Sequence, residues 1–484
     1  MRPNEIKECF RKIEQDANVN DILLMGICAW PLIRSALYSE FSKSPNLNYE
    51  SKLSSLRKLL EQSFYYGINA IIRLIRKYIA RRNSGLVKIL AFGHSPHYTK
   101  VNGQKHRSDR IMDPVVSLLG MIRHEKYVLG SLPLGLYKDR NLSFRTRRHN
   151  GDFLLEGLID SGLLSVLEKY GIHIESFNKL MSKQSDVFLD SYSGARKILE
   201  KTPEVKTIFL SVWYAPICMG ITAAARELSI RVVDVQHGAE ISSHAMYCDW
   251  TDVPGDGYLM LPNNFWCWDE NFVGTINRSF NHNENHLGIR DCPTWLNFRM
   301  NQLNGANNQL ADQNLKDSFK YILLYTLQPP CFETPNRIPD FLIDFLEQEN
   351  PDVHVYIRRH PNDPEDKVEL RSFQGRKFKT AWSVVSPAED LVHSLSISTH
   401  HVTRFSSVCY EAEKLGIPTL LFGPEAFEFY STEIKESRFR WTPGKALDLR
   451  NFLLETKKGD QKIAPDGESI HQIRMLTEKI NKKR

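Results

Sequence analysis

The chain has 484 residues, of which 42% are hydrophobic and 25% are charged. These are ordinary values for a globular protein, and they exclude collagen-like, coiled-coil and disordered classes. The length exceeds that of one ordinary domain and predicts two α/β domains with additional helical segments. The net charge is +6. Since no nucleic-acid-binding motif accompanies this charge, nucleic acid is not an expected partner.

The cysteines and the apolar runs indicate an expected compartment. Eight cysteines are scattered singly, without the close pairs of zinc or redox sites. This pattern predicts reduced thiols and no metal site. The first five residues are polar, and no segment reaches about 18 uninterrupted apolar residues. The sequence therefore predicts a cytoplasmic protein that is neither secreted nor membrane-spanning.

Residues 1–85 are predicted to form an N-terminal helical region without strands. Between residues 52 and 82, apolar side chains recur at helical spacing while arginine and lysine occupy the other faces. One interpretation is a basic amphipathic helix that docks on an anionic membrane surface. The other is a helix that packs on the protein and exposes its basic face to solvent.

Residues 86–314 are predicted to form the first α/β domain. Apolar runs predict strands at residues 87–92, 207–212 and 231–235. A helix at residues 215–228 separates the last two strands, and this spacing is typical of a parallel crossover. The polar residues 100–110 are predicted to form a loop before a helix that begins near Asp113.

Residues 315–466 are predicted to form a second α/β domain, and residues 467–484 a C-terminal helix. Strands of the second domain are predicted at residues 321–327, 353–357 and 395–398. Helices are predicted at residues 338–347 and 406–415. A glycine and a proline at 416 and 418 end the last helix before a further buried strand.

Polar groups follow the strand ends of this second domain. Arg358 and His360 come directly after the second predicted strand, where open α/β sheets bind their ligands, and both suit an anion. Ser406 and Ser407 open a helix, so their hydroxyls lie beside free backbone amides that suit a phosphate. Glu411 lies about one turn further on, where a carboxylate suits ribose hydroxyls. The set predicts a nucleotide-sugar site.

A second polar cluster follows the strand at residues 231–235. Asp234, Gln236 and His237 are expected to project toward the cleft between the domains, at a sharp turn that ends in Gly238. A hydroxyl group is a poor nucleophile near neutral pH, and a positioned base contributes about 100- to 10,000-fold to its reaction. His237 is the first candidate for this base. Asp234 either orients His237 or acts as a nucleophile, and a structural role for both is the alternative.

The ordered motifs resemble the donor half of GT-B fold glycosyltransferases. The histidine–proline pair after a strand, the paired serines at a helix start and the glutamate before Gly416 are similar to those of bacterial Kdo transferases of capsule and lipopolysaccharide synthesis. They are also similar to bacterial sialyltransferases and, more distantly, to glycerophosphotransferases of teichoic acid synthesis. The resemblance covers residues 88–422. It implies a metal-independent glycosyltransferase with two Rossmann-like domains that face a cleft, preceded by an N-terminal helical extension.

The resemblance also implies partners and site residues. A nucleotide-sugar would be the donor and co-substrate, with no further cofactor, and a surface-polysaccharide or lipid-linked glycan at the inner face of the plasma membrane would be the acceptor. Donor contacts would come from Arg358, His360, Pro361, Ser406, Ser407 and Glu411. Residues that face the acceptor or the cleft would be His94, Asp109, Arg110, Gln236 and Gly238.

The identity of the donor stays open among several hypotheses. The motifs resemble those of cytidine-nucleotide users, in which CMP leaves from Kdo or sialic acid. A transferase that uses CDP-glycerol or a UDP-sugar is also compatible with them. Further alternatives are a GT-B fold nucleotide-sugar epimerase, which needs no acceptor, and a non-catalytic glycan-binding partner in an assembly complex.

Overall fold

The structure is a computed structural model that describes most of the two α/β regions and part of the N-terminal region. The described residues are 3–42, 89–93, 96–101, 104–109, 111–112, 114–115, 124–129, 140–142, 155–239, 244–290, 292, 295–296, 309–328, 338–360, 373, 375–385 and 391–460. In this part of the chain, no helix combines the length and the apolar character needed to cross a membrane.

The described elements alternate between strands and helices along most of the chain. The strands are β1 (Leu23–Leu24), β2 (Ile27–Cys28), β3 (Ile89–Gly93), β4 (Pro96–Val101), β5 (Gln104–Asp109), β6 (His124–Leu129), β7 (Arg140–Leu142), β8 (Thr207–Leu210), β9 (Arg231–Val235), β10 (Asn264–Trp266), β11 (Leu287–Ile289), β12 (Tyr321–Thr326), β13 (Val353–Arg358), β14 (Ala381–Val385), β15 (His400–Thr403), β16 (Thr419–Phe422) and β17 (Arg440–Thr442). The α-helices are α1 (Pro3–Asp16), α2 (Trp30–Phe41), α3 (Leu163–Lys169), α4 (Ile174–Leu199), α5 (Pro216–Glu227), α6 (Glu270–Ser279), α7 (Gln309–Ser318), α8 (Asp340–Glu347), α9 (Leu391–Ile397), α10 (Val408–Lys414), α11 (Pro424–Phe429), α12 (Ser431–Lys435) and α13 (Ala446–Glu455).

The first domain is built on a sheet with the strand order β11-β10-β9-β8-β3-β6-β7. All neighbouring pairs in it run parallel. From β3, the chain adds β6 and β7 on one side and then β8 to β11 on the other. The strand order therefore reverses between β3 and β8, and such a switch point opens a crevice outside the carboxyl ends of the strands.

The second domain repeats this arrangement with the strand order β14-β13-β12-β15-β16-β17. Its strands are also parallel throughout. The chain starts at β12, adds β13 and β14 on one side, and then adds β15 to β17 on the other. Its switch point lies between β12 and β15, so the ends of these two strands flank the expected ligand crevice.

The apolar pattern of the central strands explains why both sheets are covered on both faces. In the first sheet, Ile208 and Val232 belong to one core cluster, while their neighbours Phe209 and Val233 belong to another. Successive side chains of a strand point to opposite faces, so a strand that is apolar on both sets must have helices on both sides. Continuous apolar runs of this kind are typical of parallel α/β sheets.

The N-terminal helices pack against the first domain. Phe10 of α1 and Trp30 and Leu37 of α2 are fully buried, and they share a core cluster with Ile208 of β8. Between the helices, β1 and β2 form a short antiparallel pair, although the sequence predicted no strand before residue 86. Two-residue strands are too short to produce a periodic signal.

Several predicted elements are confirmed. The strand predicted at residues 231–235 is β9, the helix predicted at 215–228 is α5 within two residues, and the helix predicted at 338–347 is α8. The strands predicted at 321–327 and 353–357 are β12 and β13. The helix predicted to begin at the paired serines is α10, and the strand predicted after it is β16.

Two predicted elements are wrong. Residues 395–398 were predicted as a strand, but residues 395–397 end α9, and Ser398 Oγ, directly after the helix, donates a hydrogen bond to the carbonyl of Ser394 at 2.6 Å. The strand is β15, which begins at two buried histidines that look polar in the sequence. Residues 100–110 were predicted as a loop, but β4 and β5 form an antiparallel pair there. The Asn-Gly pair at 102–103 is the sequence signal of a two-residue hairpin.

The division into four regions stays a prediction. The first sheet lies within residues 89–289 and the second within 321–442. The basic amphipathic segment at residues 52–82 and the C-terminal helix predicted at 467–484 lie outside the described residues.

Candidate functional site

The two domains contact each other through segments that follow the carboxyl ends of strands. Trp268 follows β10, and its ring centroid lies 6.2 Å from that of Tyr410 in α10. Phe272 in α6 lies 5.4 Å from the same ring. Arg438 pairs with Asp269 at 3.6 Å. Since α6 follows β10 and α10 follows β15, the carboxyl edges of both sheets lie on the side where the domains meet.

Asp234 lies inside the first domain and is only 1% exposed. Its Oδ1 accepts a hydrogen bond from the backbone N–H of Trp213 at 3.2 Å, and its Oδ2 accepts one from the hydroxyl of Tyr247 at 2.8 Å. Burial raises the pKa of this carboxyl to about 8, against the opposing effect of the two hydrogen bonds. The carboxyl group therefore links the segments of Trp213 and Tyr247, and it is mostly protonated and uncharged near pH 7.

His237 follows β9 and is partly exposed. Its Nε2 lies 3.5 Å from the hydroxyl of Tyr214, and the tautomer decides which of the two donates. Behind Tyr214 lies His244, at 4.7 Å between ring centroids, and His244 in turn stacks on Tyr38 of α2 at 4.2 Å. Burial, helped by His237 and Arg34, lowers the pKa of His244 to about 3. His244 is thus neutral near pH 7 and supports the ring of Tyr214.

Gln236 holds the turn between β9 and His237. Its Nε2 donates to the carbonyl of Gly238 at 2.9 Å, and its Oε1 accepts from the backbone N–H of Trp268 at 2.7 Å. The side chain is 3% exposed. The sequence predicted that Gln236 projects into the cleft, but its amide is bound to backbone groups of two segments. The partner at Trp268 is 32 residues away in the chain and has no local sequence signal.

In the second domain, Arg358 ends β13 and is 6% exposed. Its Nη1 donates to the hydroxyl of Ser394 in α9 at 3.0 Å. His360 lies two residues further on and is partly exposed. Arg358 therefore places a buried positive charge at the carboxyl edge of the sheet, and His360 is the more accessible of the two side chains.

Ser406 and Ser407 lie at the start of α10, as the sequence predicts. Ser406 Oγ accepts from the backbone N–H of Val408 at 3.3 Å. Ser407 is the N-cap residue, but its side chain makes no capping hydrogen bond. The helix is only 7 residues long, so its dipole is small. The two hydroxyls are both partly exposed, so an incoming ligand could contact them at this position.

Glu411 lies in α10 and is 4% exposed. Its Oε1 accepts from the indole N–H of Trp295 at 3.0 Å, and Trp295 belongs to the segment that connects the two sheets. The sequence predicted a contact with ribose for this carboxylate. The structure adds a tryptophan partner 116 residues earlier in the chain, which the local pattern around Glu411 does not indicate.

The paired histidines of β15 bridge neighbouring strands. His401 Nε2 lies 3.0 Å from Thr326 Oγ1 of β12, and its Nδ1 lies 3.1 Å from Thr419 Oγ1 of β16. Burial lowers the pKa of His401 to about 3. His400 is also buried, and its ring nitrogens lie beside Thr399 Oγ1 and the carbonyl of Thr456. Both rings therefore have their hydrogen-bond partners within the domain.

The sequence predictions missed part of the site and included residues that the structure does not describe. Tyr38 and His244, which support Tyr214, were not predicted. Tyr38 lies in α2, which is far from β8 and β9 in the chain. His94, Arg110 and Pro361 lie outside the described residues. Asp109 ends β5, where its backbone pairs with that of Pro96.

Comparisons with known proteins identify the fold. No protein-family model and no curated protein matches the sequence. Among solved structures, the S. aureus MnaA–UDP co-structure aligns with a TM-score of 0.50 at 13% identity, over 82% of this chain and 97% of that one. UDP-GlcNAc 2-epimerase from Methanocaldococcus jannaschii aligns with a TM-score of 0.50 at 12% identity, over 81% of this chain and all of that one.

These neighbours have the GT-B fold, and so does this chain. The strand orders of the two sheets and the contact between their carboxyl edges agree with that assignment. The predicted fold class is therefore confirmed. At 12–13% identity the likeness extends to the fold alone.

Proposed function

We propose that this chain is a glycosyltransferase that takes a sugar from a nucleotide-sugar in the cleft between its two domains. The observation that carries the proposal is the pairing of two doubly wound sheets whose carboxyl edges lie at the domain contact. One edge carries His237, and the other carries Arg358, His360 and the paired serines. A base and an anion-binding set on opposite walls of one cleft are what sugar transfer requires.

The donor wall would stabilise the leaving phosphate. Arg358 supplies a buried positive charge, and His360, Ser406 and Ser407 supply partly exposed donors at the same edge. Groups of this kind gain strength as water leaves a closing cleft, because the local dielectric constant falls. Charge on the departing nucleotide would then be neutralised by the protein's own side chains.

The acceptor wall would activate a sugar hydroxyl. His237 is the partly exposed histidine of its cluster, and Tyr214 lies at hydrogen-bonding distance from its Nε2. We assign it the role of general base. Asp234 is a poor candidate for a nucleophile, because it is buried and both of its oxygens accept hydrogen bonds from the protein. Its proposed role is to position Tyr247 and the backbone at Trp213.

The specific form of the proposal is transfer of Kdo or sialic acid from a CMP-sugar to a surface-polysaccharide or lipid-linked acceptor. The motif resemblance supports this form. A peripheral contact of the protein with an anionic membrane is a separate hypothesis.

Nucleotide-sugar epimerisation is the second candidate. The names of the two solved neighbours support it, since one is a UDP co-structure and the other a UDP-GlcNAc 2-epimerase. An epimerase needs acid and base groups around one sugar and no acceptor. UDP and UDP-GlcNAc therefore belong in the same test as the cytidine compounds.

Titration calorimetry with CMP, CDP, UDP and GDP tests the shared part of the proposal. We expect a cytidine nucleotide to bind most tightly. The bound ligand, at 100 times its Kd, should also raise the free energy of unfolding by about 2.7 kcal/mol. His360→Ala and Ser407→Ala should weaken this binding, each by about 1.5 to 3 kcal/mol. His237→Ala should bind within a few fold of the parent. Failure of all four nucleotides to bind would contradict the proposal.

Product analysis then separates the two reactions. Incubation with UDP-GlcNAc alone gives a second UDP-sugar if the chain is an epimerase. Incubation with a CMP-sugar and a glycan acceptor gives a new glycoside if it is a transferase, and His237→Ala should reduce this yield by at least about 100-fold. If the His237→Ala variant binds CMP tightly and transfers the sugar at the normal rate, His237 is not the general base, and the transferase proposal still stands.

A further inference from the structure

Arg404 lies at the switch point of the second sheet, where the ligand crevice is expected. It follows β15, and β15 pairs with β12 on the side where the strand order reverses. The next residue, Phe405, packs against the core cluster that contains the centre of the first domain. Arg404 therefore lies both at the switch point and on the loop where the domains meet.

The guanidinium of Arg404 is held from one side by Glu425. Its Nε donates to Oε2 at 3.2 Å and its Nη2 donates to Oε1 at 2.7 Å. A guanidinium carries five N–H donors, and this pairing uses one from each of two nitrogens. Among the described residues, no acceptor is hydrogen-bonded to Nη1. The outer edge of the guanidinium thus keeps donors for a further anion.

The surroundings fix this pair in place. Gly423 has a φ of +84°, and a Cβ there would lie 3.1 Å from Glu425 Oε2 and 3.6 Å from Arg404 Nε. The indole N–H of Trp441 donates to the carbonyl of Gly423 at 2.8 Å. The close approach of backbone and ion pair explains why glycine occupies this position. The pair is partly exposed, at 20% for Arg404 and 35% for Glu425, so it is fixed without being sealed from the cleft.

We propose that Arg404 binds the phosphate of the nucleotide that enters the cleft, with Glu425 holding its guanidinium plane in orientation. This inference rests on the proposed function. Arginine suits the role because its fork of donors matches phosphate geometry and its charge persists at all physiological pH values. Together with Arg358, it places positive charge on the strands on both sides of β12.

The test compares nucleotides with nucleosides in binding to the full chain. Calorimetric titrations with CMP, UDP, cytidine and uridine are carried out on the parent, Arg404→Gln and Arg404→Lys. We expect Arg404→Gln to weaken CMP and UDP binding by at least about tenfold, and Arg404→Lys by less, because lysine keeps the charge and loses the fork. Nucleoside binding should change by less than about twofold in both variants, since nucleosides have no phosphate.

Arg376→Gln is the matched control. Arg376 pairs with Glu347 at 3.0 Å on the surface of the same domain, so its loss alters charge and an ion pair without touching the crevice. Nucleotide affinity should stay within about twofold of the parent in this variant. A uniform loss of affinity in both Arg404→Gln and Arg376→Gln would assign the effect to net charge and overturn the inference.

Two outcomes separate this inference from the proposed function. If the parent binds no nucleotide, both are wrong. If the parent binds CMP or UDP and both Arg404 variants bind it equally well, the proposed function stands and Arg404 is only a structural ion pair. A lowered melting temperature with unchanged nucleotide affinity also supports the purely structural role.

Discussion

Asp234 is a carboxyl group that the first domain keeps close to neutral. Its side chain accepts from Trp213 and Tyr247 and has almost no contact with water. Burial of a charge without an opposite charge beside it is costly, so the protonated form is favoured. The pKa near 8 is therefore a property of its position in the core, and it bears on stability.

Asp234→Asn should remove a pH dependence of stability. The native pKa of about 8 lies above the ordinary value of 3.8, so the native state holds an extra proton between these values. The free energy of unfolding of the parent should therefore fall as the pH rises through this window, by at most about 1.4 kcal/mol per pH unit. Asparagine mimics the neutral carboxyl and lacks this loss. Urea denaturation of both proteins at about pH 5 and about pH 8 measures the difference.

A difference in stability that does not depend on pH would contradict this prediction. If the stability difference between the parent and Asp234→Asn is the same at both pH values, Asp234 does not titrate in this window. Asp234 would then be ionised in the native state across this range, and the raised pKa of about 8 would be wrong.

Local sequence patterns predict the positions of some site residues but not the partners that these residues contact. The positions of Ser406, Ser407, Asp234 and His237 at strand and helix ends follow from apolar runs that stop beside polar residues. Their partners do not. Gln236 and Glu411 are bound by tryptophan groups 32 and 116 residues away, and contacts at such separations depend on the completed fold.

At the scale of elements, α1 and α2 are bound to the first domain by a buried ion pair. Arg34 and Glu14 contact each other with side chains at 0% and 1% exposure. The guanidinium also lies over the rings of Phe10 and Trp250, at 4.5 Å and 4.3 Å from their centroids. It donates to the carbonyl of Ala245 at 2.9 Å. The segment around residue 245 is thus fixed by an arginine from the N-terminal region.

Helix α2, which carries Arg34, also contacts residues that surround the candidate base, His237. Ser35 Oγ donates to the carbonyl of Tyr214 at 2.8 Å, and Tyr38 stacks on His244. Tyr214 contacts His237. Helix α2 therefore forms part of the wall behind the candidate base.

Glu14→Gln should be strongly destabilising. It would leave Arg34 buried without its opposite charge, a change that costs about 3 to 5 kcal/mol. Glu8→Gln is the control, because Glu8 pairs with Arg11 on the surface of the same helix and such pairs contribute about 0 to 1 kcal/mol. Chemical denaturation near neutral pH measures both variants. Equal and small losses would show that the buried pair is replaceable by neutral hydrogen bonds.

Element prediction succeeds where burial alone decides the structure. Strand β9 and helix α5 are read from an apolar run and an apolar helical face, and both are observed at the predicted positions. Strand β15 was not predicted, because it begins with His400 and His401, two polar residues that are buried with specific hydrogen-bond partners. The hydrophobic pattern then points to the end of α9, a few residues too early.

At the scale of the whole molecule, the two domains share one core cluster. Tyr410 and Phe439 of the second domain belong to the same cluster as the centre of the first. Tyr410 is 3% exposed. Its ring lies 5.4 Å from that of Phe272 in the first domain and 5.3 Å from that of Phe439 in the second. A shared aromatic residue couples the stability of the domains.

The relative arrangement of the domains could not be predicted from the sequence. Two βαβ patterns indicate two sheets, and the motif resemblance indicates a cleft between them. The aromatic residues of the contact, such as Trp268 and Tyr410, look like ordinary core residues in the sequence. Their partners lie in different domains, so neither periodicity nor local motifs identify them as interface residues.

Calorimetric unfolding tests this coupling through Tyr410→Ala. We expect the parent to unfold in a single transition, because the shared cluster makes the two domains cooperative. Removing the ring of Tyr410 deletes contacts on both sides of the interface and costs about 3 to 5 kcal/mol, as for other large core aromatics. The variant should therefore unfold in two transitions. Phe452→Ala is the control, since Phe452 is equally buried but lies in the separate core of the second domain. It should lower the midpoint while the transition stays single, because the interface is intact. Two transitions in the parent would mean that the domains are independent, and that the contact at Tyr410 is too weak to hold the carboxyl edges together without a ligand.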